Sequence, residues 1–134
     1  MARRQGRWVK MLSAQDKVAI AARCDRFIAD TLKPRFLPEV HPTEFNYPVD
    51  ILGRWRASRY SFITRYRSGF PDDLGEEFDE PFTRLDLACE HLAGIRFDLM
   101  WRRHTGQWWR LYSAVELEEA LRLIETDLSL QPHV

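Results

Sequence analysis

His104 is the side chain best placed by sequence to move a proton, because it sits in Arg102-Arg103-His104-Thr105-Gly106, at the expected tip of a hairpin. Proton transfer needs a second group, and this motif supplies neither a carboxylate nor a nucleophile. A residue that tolerates an unusual turn backbone is the plainer account of the same position. Cys89-Glu90-His91 sets three metal-capable side chains in a row. Three consecutive residues of a turn do not converge as a tetrahedral site, however, and His41 and His133 stand at no ligand spacing from them. The acidic pairs Asp72-Asp73 and Glu76-Glu77 lie in a glycine-bearing stretch that favours solvation over catalysis. Neither a glycine-rich phosphate loop nor a G-x-S-x-G elbow occurs. These residues imply no metal and no cofactor, and they spell out no reaction.

Arginine is the other chemically loaded residue. Of 20 lysines and arginines only Lys10, Lys17 and Lys33 are lysine, and arginine suits bidentate contacts and stacking on rings. Alternation along the expected strands projects Arg54, Arg56, Arg65, Arg67, Arg84, Arg96, Arg102 and Arg110 from one open sheet face, with Phe82, Trp108 and Tyr112 among them. Arg102 opposite Trp108 is expected to form a cation–π pair. Aromatic platforms among arginines are how sheet modules stack on single-stranded nucleic acid. Three other uses compete: the stems simply cover the back of the sheet, an acidic segment near 72–80 or the second helix neutralises them, or the face joins two copies as a homodimer. The candidate binding set is Arg54, Arg56, Arg65, Arg67, Arg96, Arg102, His104, Trp108, Arg110 and Tyr112.

The elements that must position these residues are read from patterning. A chain of 134 residues, 45% of them hydrophobic, suits a single domain that needs no disulfide or metal staple. Twenty acids balance the twenty cations, which argues against a polyanion-coating protein. The signs are nevertheless separated along the chain: residues 70–93 carry −7 and lie between segments 34–69 and 94–112 of +3 each. Cys24 and Cys89 have no paired spacing and read as reduced thiols. No run approaches the ~18 apolar residues of a membrane span, and no apolar signal stretch comes after Arg3, Arg4 and Arg7, so a cytoplasmic protein is expected. Residues 1–12 read as a basic, flexible arm.

Ser13 and Asp16 form a capping-box pattern ahead of Val18, Ala21, Cys24, Ile28 and Leu32, predicting a helix over 13–33 that Pro34 stops. The four prolines of 34–48 predict an extended connection. Period-two alternation then predicts a hairpin, with Ala57-Ser58 as its loop, Trp55 paired with Tyr60 and Ile51 with Thr64. Residues 68–79 predict an exposed acidic loop. Segment 81–92 fits a helix carrying Phe82, Leu85, Cys89 and Leu92, or a strand over 81–88, and the strand is chosen. Beyond Ile95 a second hairpin turns at His104-Thr105-Gly106, pairing Trp101 with Trp109 and Leu99 with Leu111 on one buried face. Ser113 and Glu116 form a second capping box for a helix to about residue 128. The expected order is α-β-β-β-β-α, an α+β domain with a four-stranded antiparallel meander flanked by two helices.

The stretch Arg103-His104-Thr105-Gly106-Gln107-Trp108-Trp109, downstream of Tyr66-Arg67-Ser68, resembles a family of small bacterial proteins that carry an R-H-T-G-Q-W-W hairpin. That family is a domain of unknown function. The resemblance covers about residues 54–128; it implies an independent small cytoplasmic protein, supports the strand at 81–88 and supplies no catalytic residue. The leading expectation is therefore a module that binds or self-associates through the arginine and aromatic face. A single-stranded nucleic-acid binder comes second, and an enzyme using His104 third.

Overall fold

Ser13 opens the first helix as its spacing requires: its hydroxyl accepts from the Asp16 amide at 3.0 Å, and the Asp16 carboxylate accepts from the Ser13 amide at 3.3 Å. The computed structural model describes residues 12–88 and 94–134, so the basic start of the chain and Cys89-Glu90-His91 lie outside the described residues. Helix α1 runs Ala14–Phe27 and passes into one wide π turn, Ile28–Leu32. A short helix α2, Lys33–Phe36, comes next. Pro34 does not stop the helix as expected. Its ring nitrogen has no hydrogen to donate, and the chain widens so that the Lys33 amide reaches the Ile28 carbonyl.

The remainder of the chain supplies five strands: β1 Asn46–Arg56, β2 Arg59–Ser68, β3 Glu77–Leu87, β4 Phe97–Arg102 and β5 Trp108–Val115. They form one antiparallel sheet in sequence order. The sheet has five strands rather than the four expected: the two hairpins supply four, and the segment expected as a strand over 81–88 adds the fifth, β3, the central strand, hydrogen-bonded to β2 on one side and β4 on the other. It also starts earlier than expected. Glu77 and Asp79 belong to it, and the acidic loop shrinks to a single 3-10 turn at Pro71–Asp73.

The first hairpin has the expected pairs, Trp55 with Tyr60 and Ile51 with Thr64. The second turns through His104-Thr105-Gly106, closed by the Arg103 amide to the Gln107 carbonyl at 2.8 Å, with Gly106 at φ +89. Trp101 pairs with Trp109 as expected, but the register shifts on the far side of Met100 and Leu99 pairs with Tyr112. Leu111 is the extra residue of this bulge. Tyr112 therefore packs toward the core, Leu111 is exposed, and Trp109 is 51% exposed instead of buried.

Helix α3 occupies Leu117–Thr126, several residues later than its capping-box pattern placed it. Strand pairing of Val115 with Phe97 claims that segment first, and the Asp98 carboxylate accepts from the Ala114 amide at 2.9 Å. α1 lies against β1, α3 against β4, and the two helices touch. Cys24, Phe27, Ile28 and Leu32 meet Ile51, Tyr60, Phe62, Leu85, Phe97 and Leu99 of the sheet, with Leu121 and Ile124 of α3. Each large side chain fully buried here contributes about 1.5–3 kcal/mol. Among the described residues no helix is long and apolar enough to cross a membrane.

Candidate functional site

The outer face of the sheet carries the arginines, and the central strand supplies their partners. Arg59, Arg65 and Arg67 alternate along β2, and their cross-strand neighbours on β3 are Asp86, Asp79 and Glu77. Asp79 accepts from Arg65 at 2.8 Å and from Arg54 of β1 at 2.9 Å; these contacts, Arg65 foremost, hold its carboxyl below the usual carboxylate range. Glu77 takes Arg67 at 2.7 Å, and Arg59 lies 3.7 Å from Asp86. Arg84 is held by Asp86 at 2.6 Å and lays its guanidinium 4.4 Å from the Trp108 ring centre. The cation over Trp108 thus comes from β3 and not, as expected, from Arg102.

Other members of the expected set are dispersed. Arg96 pairs with Glu116 at 3.0 Å, and Arg110 lies 3.7 Å from Asp98. Arg56 sits by the first turn, beside a shallow depression that includes Arg54, Trp55 and Asp79. Tyr112 belongs to the opposite side, where its hydroxyl donates to Asp127 at 2.6 Å. Each exposed ion pair contributes ~0–1 kcal/mol to stability, and together they compensate the face only in part: Asp79 is shared by Arg54 and Arg65, Asp86 by Arg59 and Arg84, and Arg56 makes no ion pair among the described residues. A polyanion docking there would have to displace carboxylates already bound.

A different arrangement occupies the helix-bearing side, where the ends of β2 and β4 and the start of β3 run past the cover of the helices. A cleft of about 520 Å³ is lined there by Thr64, Tyr66, Glu80, Pro81, Phe82, Trp101, Arg102, Arg103, His104 and His133. Strand alternation puts Thr64 and Tyr66 on the face of Tyr60 and Phe62. Tyr66 stacks on Phe78, ring centres 5.4 Å apart, and donates its hydroxyl to the His133 carbonyl at 2.9 Å. That bond fixes the tail as one wall, and burial pushes the Tyr66 hydroxyl above its ordinary pKa, keeping it a donor.

Arg102 and His104, named from the sequence, both line this cleft. Arg102 donates to Glu80 at 2.6 Å and to the Pro81 carbonyl at 3.3 Å, so the one carboxylate of the lining is already matched. Arg103 instead rests over two rings, 5.9 Å from the centre of Trp101 and 5.5 Å from that of Trp109. It makes no ion pair among the described residues. Thr64 is 2% exposed, and its hydroxyl has no hydrogen-bond partner among the described residues. His104 shares the cleft with Glu80, but no hydrogen bond joins them among the described residues, so a catalytic pair is not assembled. No group of three histidine, cysteine, aspartate or glutamate side chains fit to hold a metal occurs among the described residues.

Thr64, Tyr66, Glu80 and His133 were not singled out by sequence. One signal was available for two of them: Thr64 and Tyr66 continue the buried alternation of Tyr60 and Phe62 with polar tips, on the side the helices were expected to cover. Residues 11–130 match the model of a family described as a domain of unknown function, DUF3024. Neither a curated protein nor a solved structure matches the chain.

Proposed function

The chain belongs to the DUF3024 family, and from that premise we propose that it is a binding domain whose ligand is a small anion held in the cleft beneath the second hairpin. The observation that carries this reading is the charge imbalance of the lining. Glu80 is spent on Arg102, while Arg103 lies over two aromatic rings and makes no ion pair among the described residues. A guanidinium with no carboxylate partner, beside a partly apolar concavity, is a standing site for an anion. The outer face offers many more arginines, but all of them except Arg56 lie within 4 Å of a carboxylate, which is why a nucleic-acid surface is the weaker reading.

The test is a titration with acetate, inorganic phosphate and benzoate, monitored at the backbone amide resonances of Arg103 and His104. At least one anion shifts these signals saturably. Arg103→Ala abolishes the shift, and Arg54→Ala on the outer face preserves it. Binding that ignores Arg103→Ala defeats the proposal. Self-association is the second reading, favoured by β5 as an edge strand that exposes Trp109 and Leu111. Light scattering then reports a dimer that Leu111→Glu converts to a monomer.

A further inference from the structure

The cleft differs in chemistry from floor to rim, and the succession of groups describes an occupant. At the floor stand Phe82, 6% exposed, and Thr64, 2% exposed, whose hydroxyl makes no hydrogen bond among the described residues. Along the side stand the rings of Tyr66 and Trp101. At the rim stands Arg103, the cation with no acidic partner among the described residues. We infer that the cleft takes a planar aromatic carboxylate: the ring lies against Trp101 and Phe82, the carboxylate meets the Arg103 guanidinium, and an oxygen on the opposite edge of the ring accepts from the Thr64 hydroxyl. The inference rests on the reading of this cleft as the anion site.

Charge selects a monoanion. Of the arginines and acids in the lining, Arg102, Arg103 and Glu80, only one positive charge remains uncompensated. A carboxylate balances it, whereas a phosphate dianion leaves an excess negative charge beside Glu80. Shape selects a ring, since stacking on aromatic walls favours a flat π system over a puckered ring of equal size. The cavity, about 520 Å³, suits a molecule of one or two rings. Thr64 selects polarity at the far edge, because its hydroxyl makes no hydrogen bond among the described residues and a ligand acceptor supplies one.

The experiment compares benzoate, 4-hydroxybenzoate, cyclohexanecarboxylate, benzamide and phenyl phosphate at pH 8, read by amide and tryptophan indole shifts in the whole chain. Benzoate binds roughly threefold to tenfold more tightly than cyclohexanecarboxylate. 4-Hydroxybenzoate gains roughly a further threefold to tenfold. Benzamide and phenyl phosphate both bind more weakly than benzoate. Thr64→Val removes the gain from the 4-hydroxyl, so that the affinity ratio of 4-hydroxybenzoate to benzoate falls to about one. Equal binding of cyclohexanecarboxylate or phenyl phosphate overturns the ring or the monoanion while the anion site stands. If no anion shifts any signal, the anion site itself falls.

Discussion

Trp55 faces Tyr60 across the first hairpin, and Trp101 faces Trp109 across the second, each pair lying one step back from its turn on the helix-bearing side of the sheet. Their fates differ. Trp55 and Tyr60 meet edge to face with ring centres 5.2 Å apart, and Trp55 donates its indole hydrogen to the Lys17 carbonyl of α1 at 3.0 Å. Tyr60 is 1% exposed beneath that helix. Over the second pair lies Arg103, 5.9 Å from the centre of Trp101 and 5.5 Å from that of Trp109, and Trp101 borders the cleft. Alternation tells which side of a sheet a residue faces. Exposure differs within the side: Tyr60 is 1% exposed, Trp109 is 51% exposed, and Trp101, which lines the cleft, is the ring available to a ligand.

The largest expected effect breaks or keeps this contrast directly. Tyr60→Ala empties a filled, covered site and costs about 3–5 kcal/mol in urea unfolding, whereas Trp109→Ala removes a ring already half in water and costs ~1 kcal/mol or less. Similar losses at the two positions remove the distinction between them. Alkali gives an intermediate effect. Burial pushes the Cys24 thiol up to about 12 and raises the Tyr60 hydroxyl as well, and both lie in the core under α1. The unfolded chain releases the Cys24 proton near ~8.5 and the native state holds it. Stability is therefore full below ~8.5 and falls as pH rises toward about 12, by ~1.4 kcal/mol per pH unit for each group ionised only in the unfolded state. An unfolding midpoint constant between pH 8 and 10.5 contradicts the sheltered core.

The smallest effect on stability sharpens the contrast between paired and unpaired cations. Asp79→Asn frees Arg54 and Arg65 together and changes stability by ~1 kcal/mol or less. The wild-type protein leaves a fluorescent single-stranded oligonucleotide unbound, and the variant binds it with an affinity that falls steeply as salt rises. Equal anisotropy for the two proteins shows that Asp79 is not what masks the face.

The elements set by local pattern were legible. The Ser13 cap, the Trp55–Tyr60 and Trp101–Trp109 pairs and the three-residue turn with Gly106 are each dictated by a few neighbouring residues. The features that escaped depend on partners distant in the chain. Leu111 and Tyr112 exchange roles because a bulge interrupts the alternation, and helix α3 yields its first turn to a strand pair with Phe97. Arg54, Arg65 and Arg67 share the outer face, but the acids that pair with them come from the start of β3, which the sequence pattern reads as loop. The cleft was half visible through Arg102 and His104. Glu80 and His133 join it only through the tertiary fold, from β3 and from the tail beyond α3.

The π turn ahead of Pro34 sets the angular phase of α2. Residues Ile28–Leu32 hold one residue more than an α-helical turn would, and Asp30 within them is exposed. Without that extra residue, every side chain of α2 would sit about 100° further round the helix axis. Arg35 would then swing away from the Glu125 carbonyl, to which it now donates at 2.8 Å, and the clasp between the end of the first helical run and the end of α3 would open. A single added residue thus works as an angular spacer, tolerating a proline and aiming an arginine at the same time.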